Sequence, residues 1–95
     1  MTTLHIVRES AFATNDFAQC LQVVQNSDLI VFTDDGCYNL THPSLQQVNE
    51  QVELRVIVEH ANARAVKLAS TKATTITMKQ LVALTFQADR VITWQ

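Results

Sequence analysis

A chain of 95 residues that is 47% hydrophobic and 17% charged has the composition of one small globular domain, residues 1–95, and excludes a disordered chain. Its formal net charge is −2, with seven Lys and Arg scattered along it, which excludes the clustered basic patch that direct nucleic-acid binding requires. No apolar stretch reaches the roughly 18 residues of a membrane span, and the opening Met-Thr-Thr-Leu-His-Ile-Val-Arg lacks the pattern of a signal peptide. A cytoplasmic protein with reduced thiols is therefore expected. A domain this small buries only about 60–65% of its unfolded surface, so a partner subunit is one way to cover what remains exposed.

Thr3 to Val7 reads as a first strand. A helix is predicted from Thr14 or Asn15, either able to cap it, to Gln25 or Asn26. Within it Phe17, Cys20, Leu21 and Val24 form one apolar stripe. Asp28 to Thr33 reads as a second strand buried on both faces, closed by the Asp34-Asp35-Gly36 turn around the only glycine of the chain. Tyr38 to Asn49 is ambiguous, although Pro43 suits a first-turn position in a short helix that starts at Thr41 or His42 and runs through Val48. Val52 to Val58 is β-branched and reads as a third strand, and Glu59 to Leu68 has helical composition. Thr74 to Thr77 reads as a brief fourth strand. Thr77 with Gln80 then makes a capping box for a helix whose Met78, Leu81, Val82 and Thr85 share a face. Arg90 to Trp94 completes the pattern as a last strand. Strands alternating with helices predict a sheet covered on both faces.

Two thiols are the candidates for chemistry. Cys37 follows the turn and is expected to be reachable, with Asp34 and Asp35 opposing its thiolate and a helix dipole favouring it. Cys20 lies inside its helix with no Lys or Arg between Arg8 and Arg55 to activate it, and a buried small hydrophobe is the competing reading. Turn chemistry and capping account for Asp34 and Asp35 better than a metal site does. His5, His42 and His60 have no metal-ligand spacing, and the chain has neither a P-loop nor a dinucleotide fingerprint, so no metal and no cofactor are expected. Val91, Ile92 and Trp94 should be packed, in the sheet or against another chain.

Leu4-His5-Ile6-Val7 followed by Ser10, the run Asp28 to Gly36, Ala63-Arg64-Ala65 and the stretch Phe86 to Trp94 occur in an order that resembles the DsrH/TusB family. The resemblance covers nearly the whole chain. It implies a DsrE/DsrF/DsrH-like three-layer α/β/α sandwich around a mainly parallel five-stranded sheet. It further implies a cytoplasmic heterohexamer with TusC-like and TusD-like subunits, relaying persulfide sulfur from a TusA-like to a TusE-like carrier for 2-thiouridine at the tRNA wobble position. In the related Dsr system the relay serves sulfur oxidation. Cys20 matches a helix cysteine of DsrH-type members and becomes the candidate persulfide carrier, while the principal relay cysteine of the Tus complex belongs to the TusD-type subunit. Cys37 inherits no role. Ala65 stands where a glycine commonly follows Ala-Arg, a departure that bears on the helix there.

The reading that results is an auxiliary, non-catalytic TusB-like subunit supporting tRNA thiolation without touching tRNA. Its alternatives are a DsrH-like persulfide-carrying subunit in sulfur oxidation and a structural interaction module with inert thiols.

Overall fold

The computed structural model describes residues 2–69 and 71–95. Five strands, β1 (Thr3–Val7), β2 (Leu29–Phe32), β3 (Glu53–Ile57), β4 (Thr74–Ile76) and β5 (Arg90–Trp94), form one sheet in the order β4-β3-β2-β1-β5. Every pairing is parallel. Parallel neighbours need crossovers, and α1 (Asp16–Val23), α2 (Val58–Ala63), α3 (Met78–Gln87) and two 3-10 helices, Asp34–Thr41 and Pro43–Gln47, supply them.

The two faces explain the unbroken apolar run Leu29-Ile30-Val31-Phe32. Alternate residues point to opposite sides, so Ile30 and Phe32 join Val7, Leu54 and Val56 in one core, together with Phe17 and Cys20 of α1 and Ala61 of α2. Leu29 and Val31 face the other way, where Leu4, Ile57 and Ile76 meet Leu81 and Leu84 of α3. Phe17 and Phe32 pack edge to face with centroids 5.4 Å apart, an arrangement worth about 1 kcal/mol beyond the area it buries. The expected three-layer α/β/α sandwich is the observed one, with α3 as the one helix contributing to the second core among the described residues.

Helix lengths depart from the sequence reading for local reasons. The first helix ends at Val23, two or three residues early, because the Gln25 N–H donates to the Asp28 carboxylate and Ser27 takes a left-handed φ of 77°. The expected Asp34-Asp35-Gly36 turn and the ambiguous segment after it become the two 3-10 helices, the second with Pro43 in its first turn and His42 Nδ1 accepting from Ser44 N–H. The capping box is present as expected, with Thr77 Oγ1 accepting from Gln80 N–H and Gln80 Oε1 accepting from Thr77 N–H. The shared face on α3 needs correction. Leu81 is buried and Thr85 partly so, but Met78 and Val82 stay exposed, because no second helix lies over that flank among the described residues.

The helix expected over Glu59 to Leu68 stops at Ala63. Ala65 N–H donates to Asn62 O and Val66 N–H to Ala61 O, closing the helix with a Schellman turn that buries Val66 against Ala61. The motif requires a left-handed residue, and Ala65 carries it at φ 55°. A Cβ there costs free energy that glycine avoids, so Ala65→Gly should raise stability by about 0.5–1 kcal/mol and the thermal midpoint by several degrees. A thermal melt that shows no rise would mean the strain is absorbed elsewhere.

Candidate functional site

In a parallel sheet the loops after the carboxyl ends of the strands converge, and here they bring together Arg8 after β1, Thr33 to Cys37 after β2 and His60 in α2 after β3. Gly36 makes the convergence possible. Its N–H donates to Arg8 O (3.0 Å) and Thr33 O (2.8 Å), and a Cβ at this position would stand 2.0 Å from Val7 O. The requirement is for space, since its φ is not positive.

Asp34 is the strained residue of the turn, at φ 49°, a conformation Asp tolerates better than most. Its N–H donates to His60 Nδ1 (2.9 Å) and its carboxylate accepts from Arg8 Nε (3.0 Å). Asp35 accepts from Arg64 Nε at 2.9 Å. Both aspartates are thereby tied to neighbouring elements, as a turn-and-scaffold role demands. These pairs are substantially exposed, and each contributes well under about 1 kcal/mol. With Nδ1 of His60 accepting from a backbone N–H, its ring proton sits on Nε2.

Neither thiol reaches this surface. Cys37 was expected to be reachable; instead the 3-10 helix that begins at Asp34 turns its side chain inward, where it is fully buried and Sγ donates weakly to Phe32 O at 3.8 Å. Burial pushes its thiol up to about 11, opposed by Arg64, with Asp34 and Asp35 adding smaller upward pushes. The acidic neighbours therefore act in the expected direction, but desolvation dominates. Cys20 is also fully buried, within the core of α1. Burial and, secondarily, the Asp28 charge push its thiol up to about 12, which disfavours the thiolate. Both cysteines are free.

The sequence reading missed a second polar cluster, at the opposite end of the sheet. The buried Asp28 carboxylate accepts from Thr3 N–H (3.1 Å), Gln25 N–H (3.0 Å) and His5 Nε2 (3.1 Å). Trp94 Nε1 donates to His5 Nδ1 at 3.1 Å, and the two rings stack. An indole can only donate, so His5 Nδ1 must accept and its proton lies on Nε2, towards Asp28. Trp94 is packed within the sheet by this contact. The available signals were an acidic residue opening an apolar strand and a histidine at the centre of another. Asn39, also fully buried, accepts from Ala11 N–H and donates to Glu9 O, pinning the loop after β1.

A hollow of about 340 Å³ opens beside Asp28, lined by Thr3, His5, Val23, Gln25, Arg90 and Ile92, and another of about 510 Å³ lies near Asn49, Glu53, Arg55 and Lys72. No cysteine lines either. Among the described residues no group of three or more His, Cys, Asp or Glu is placed to hold a metal, and no helix is long and apolar enough to cross a membrane.

Two solved structures share this α/β/α sandwich fold. The ychN protein from E. coli superposes with a TM-score of 0.78 over 99% of this chain and 100% of its own, at 14% identity. The solution structure of protein Tm0979 from Thermotoga maritima gives 0.67 over 88% of this chain and 92% of its own, at 13% identity. These likenesses define the class, the DsrE/DsrF/DsrH-like fold. The sequence model of the family described as DsrH like protein matches residues 9–91, and the chain belongs to that family, within the DsrE/DsrF/DsrH-like sulfur-relay superfamily. No curated protein matches it.

Proposed function

We propose that this chain is a DsrH-type subunit of a sulfur-relay complex and that it serves assembly, with its own two thiols inert while it is folded. The observation that carries this reading is the complete burial of both Cys20 and Cys37 in a chain matched to the DsrH-like family over residues 9–91. A relay thiol must be reached by a donor persulfide and must ionise to attack it, and burial opposes both. Sulfur would then travel on DsrE-like or DsrF-like partner subunits. The family match favours a DsrH-type role over the TusB-type role in wobble-uridine thiolation, and the thiouridine content of a deletion strain separates the two.

The rival assignment, Cys20 as a persulfide carrier, requires α1 to open so that the thiol meets its donor. Intact-mass analysis after persulfide loading of the complex decides between them. A gain of about 32 Da, one sulfur atom, is expected on a partner subunit and not on this chain. A gain on this chain that disappears in Cys20→Ser would overturn the inert reading.

A further inference from the structure

Strand β5 ends the sheet, and only one of its two sides is paired. Arg90 N–H donates to Thr2 O and Arg8 N–H donates to Trp94 O, so Arg90, Ile92 and Trp94 turn their backbone groups towards β1. In a parallel ladder the residues between them face away. Val91 and Thr93 therefore present N–H and C=O groups at the open edge, and no described residue bonds to them.

This edge has none of the usual guards. It runs for five residues without proline, glycine, lysine or a break in register, and its one charge, Arg90, is at its first position. The opposite edge, β4, is only three residues long. Val91 of this strand is apolar and 41% exposed, and α3 separately carries Phe86, 85% exposed. A strand of this kind is a template for another strand.

We propose that the free edge of β5 is the seat of a second copy of this chain, added antiparallel about a twofold axis between the two Ile92 residues. In that register Val91 pairs with Thr93 of the second copy and Thr93 with its Val91, so the outward N–H and C=O groups of both residues are matched in four hydrogen bonds. Arg90 comes to lie opposite Trp94 of the second copy on the same face of the sheet, where a guanidinium and an indole attract. The two Arg90 side chains start about 14 Å apart along the strands. A parallel pairing of the same edges would set arginine beside arginine and would not close. The inference is independent of which other subunits accompany the chain.

Sedimentation velocity on the full chain at about 100 µM, where even a weak self-association populates the dimer, tests it. The expected species has twice the 10.7 kDa mass of the monomer. Thr93→Pro removes an outward N–H and no bond to β1, so it should halve the mass while leaving the far-ultraviolet circular dichroism unchanged. Val91→Lys places a charge on the edge strand and serves as the second variant should the proline disturb folding. Ile92→Cys should yield an oxidised dimer, because facing residues of a non-hydrogen-bonded antiparallel pair lie about 4.5 Å apart at Cα and the native thiols are buried. A monomeric wild type overturns the proposal, as does a dimer that survives both edge variants. A dimer dissolved by Phe86→Lys alone would place the contact on α3 instead. Capture of a DsrE-like or DsrF-like chain that Thr93→Pro abolishes, with the isolated chain monomeric, would assign the edge to that partner.

Discussion

Gly36→Ala should destabilise the domain by about 4 kcal/mol, the sum of an overpacked backbone contact and a lost hydrogen bond. The added methyl would stand 2.0 Å from Val7 O and 2.9 Å from Val7 C, so it meets backbone that cannot rotate away. Val7 is fully buried, and its carbonyl already accepts from Thr33 N–H. Relief therefore requires the Thr33 to Cys37 segment to lift from β1, breaking the Gly36 N–H to Arg8 O bond and loosening the 3-10 helix that buries Cys37. For a domain of this size the thermal midpoint should fall by roughly 20 °C. Thermal melts give the first readout and the rate of Cys37 alkylation the second. A midpoint within about 2 °C of wild type would show that the turn can shift without cost.

Asp28→Asn should cost about 3 kcal/mol and should also remove part of the acid sensitivity of the fold. The carboxylate has three donors aimed at its two oxygens, whereas an amide turns two hydrogens of its own towards some of them. Burial alone would raise this carboxyl, but the hydrogen bonds from Gln25, Thr3 and His5 hold it below its ordinary value. A group lowered in the folded state stabilises the fold fully above its unfolded pKa, near 4, and loses that contribution as pH falls through the lower folded value. Wild-type stability should therefore drop below about pH 4 more steeply than that of Asp28→Asn. Urea unfolding at pH 7 and at successively lower pH measures both effects. Equal acid slopes in the two proteins would refute the assignment of acid sensitivity to Asp28.

These effects show how far local sequence carries. The five strands were legible because their apolar runs depend only on neighbouring residues, and β2 announced burial on both faces through four consecutive apolar side chains. The Thr77–Gln80 capping box was legible for the same reason. Burial of the α3 face was not. Periodicity places Met78, Leu81 and Val82 together, but only the packing shows that Leu81 alone of the three is covered. The end of α2 turned on one bond pattern, the Schellman closure at Ala65; alanine by itself favours helix interiors, and only the resemblance, with a glycine common at this position, pointed there.

The candidate site was less legible than the fold. Asp34, Asp35 and Gly36 were correctly placed after the end of β2, where they open a 3-10 helix, yet their partners Arg8, His60 and Arg64 lie 26 to 29 residues away. The Trp94–His5 contact spans 89 residues.

By itself, the sequence determined the order and type of the elements and the resemblance to the DsrH/TusB family, since both reside in local pattern and spacing. Tertiary structure decided the state of the two thiols, the tautomers of His5 and His60, the place of Trp94 and which edge of the sheet is left open. Burial, hydrogen-bond partners and the desolvation that moves a pKa are set by residues distant in the chain, and local pattern does not encode them.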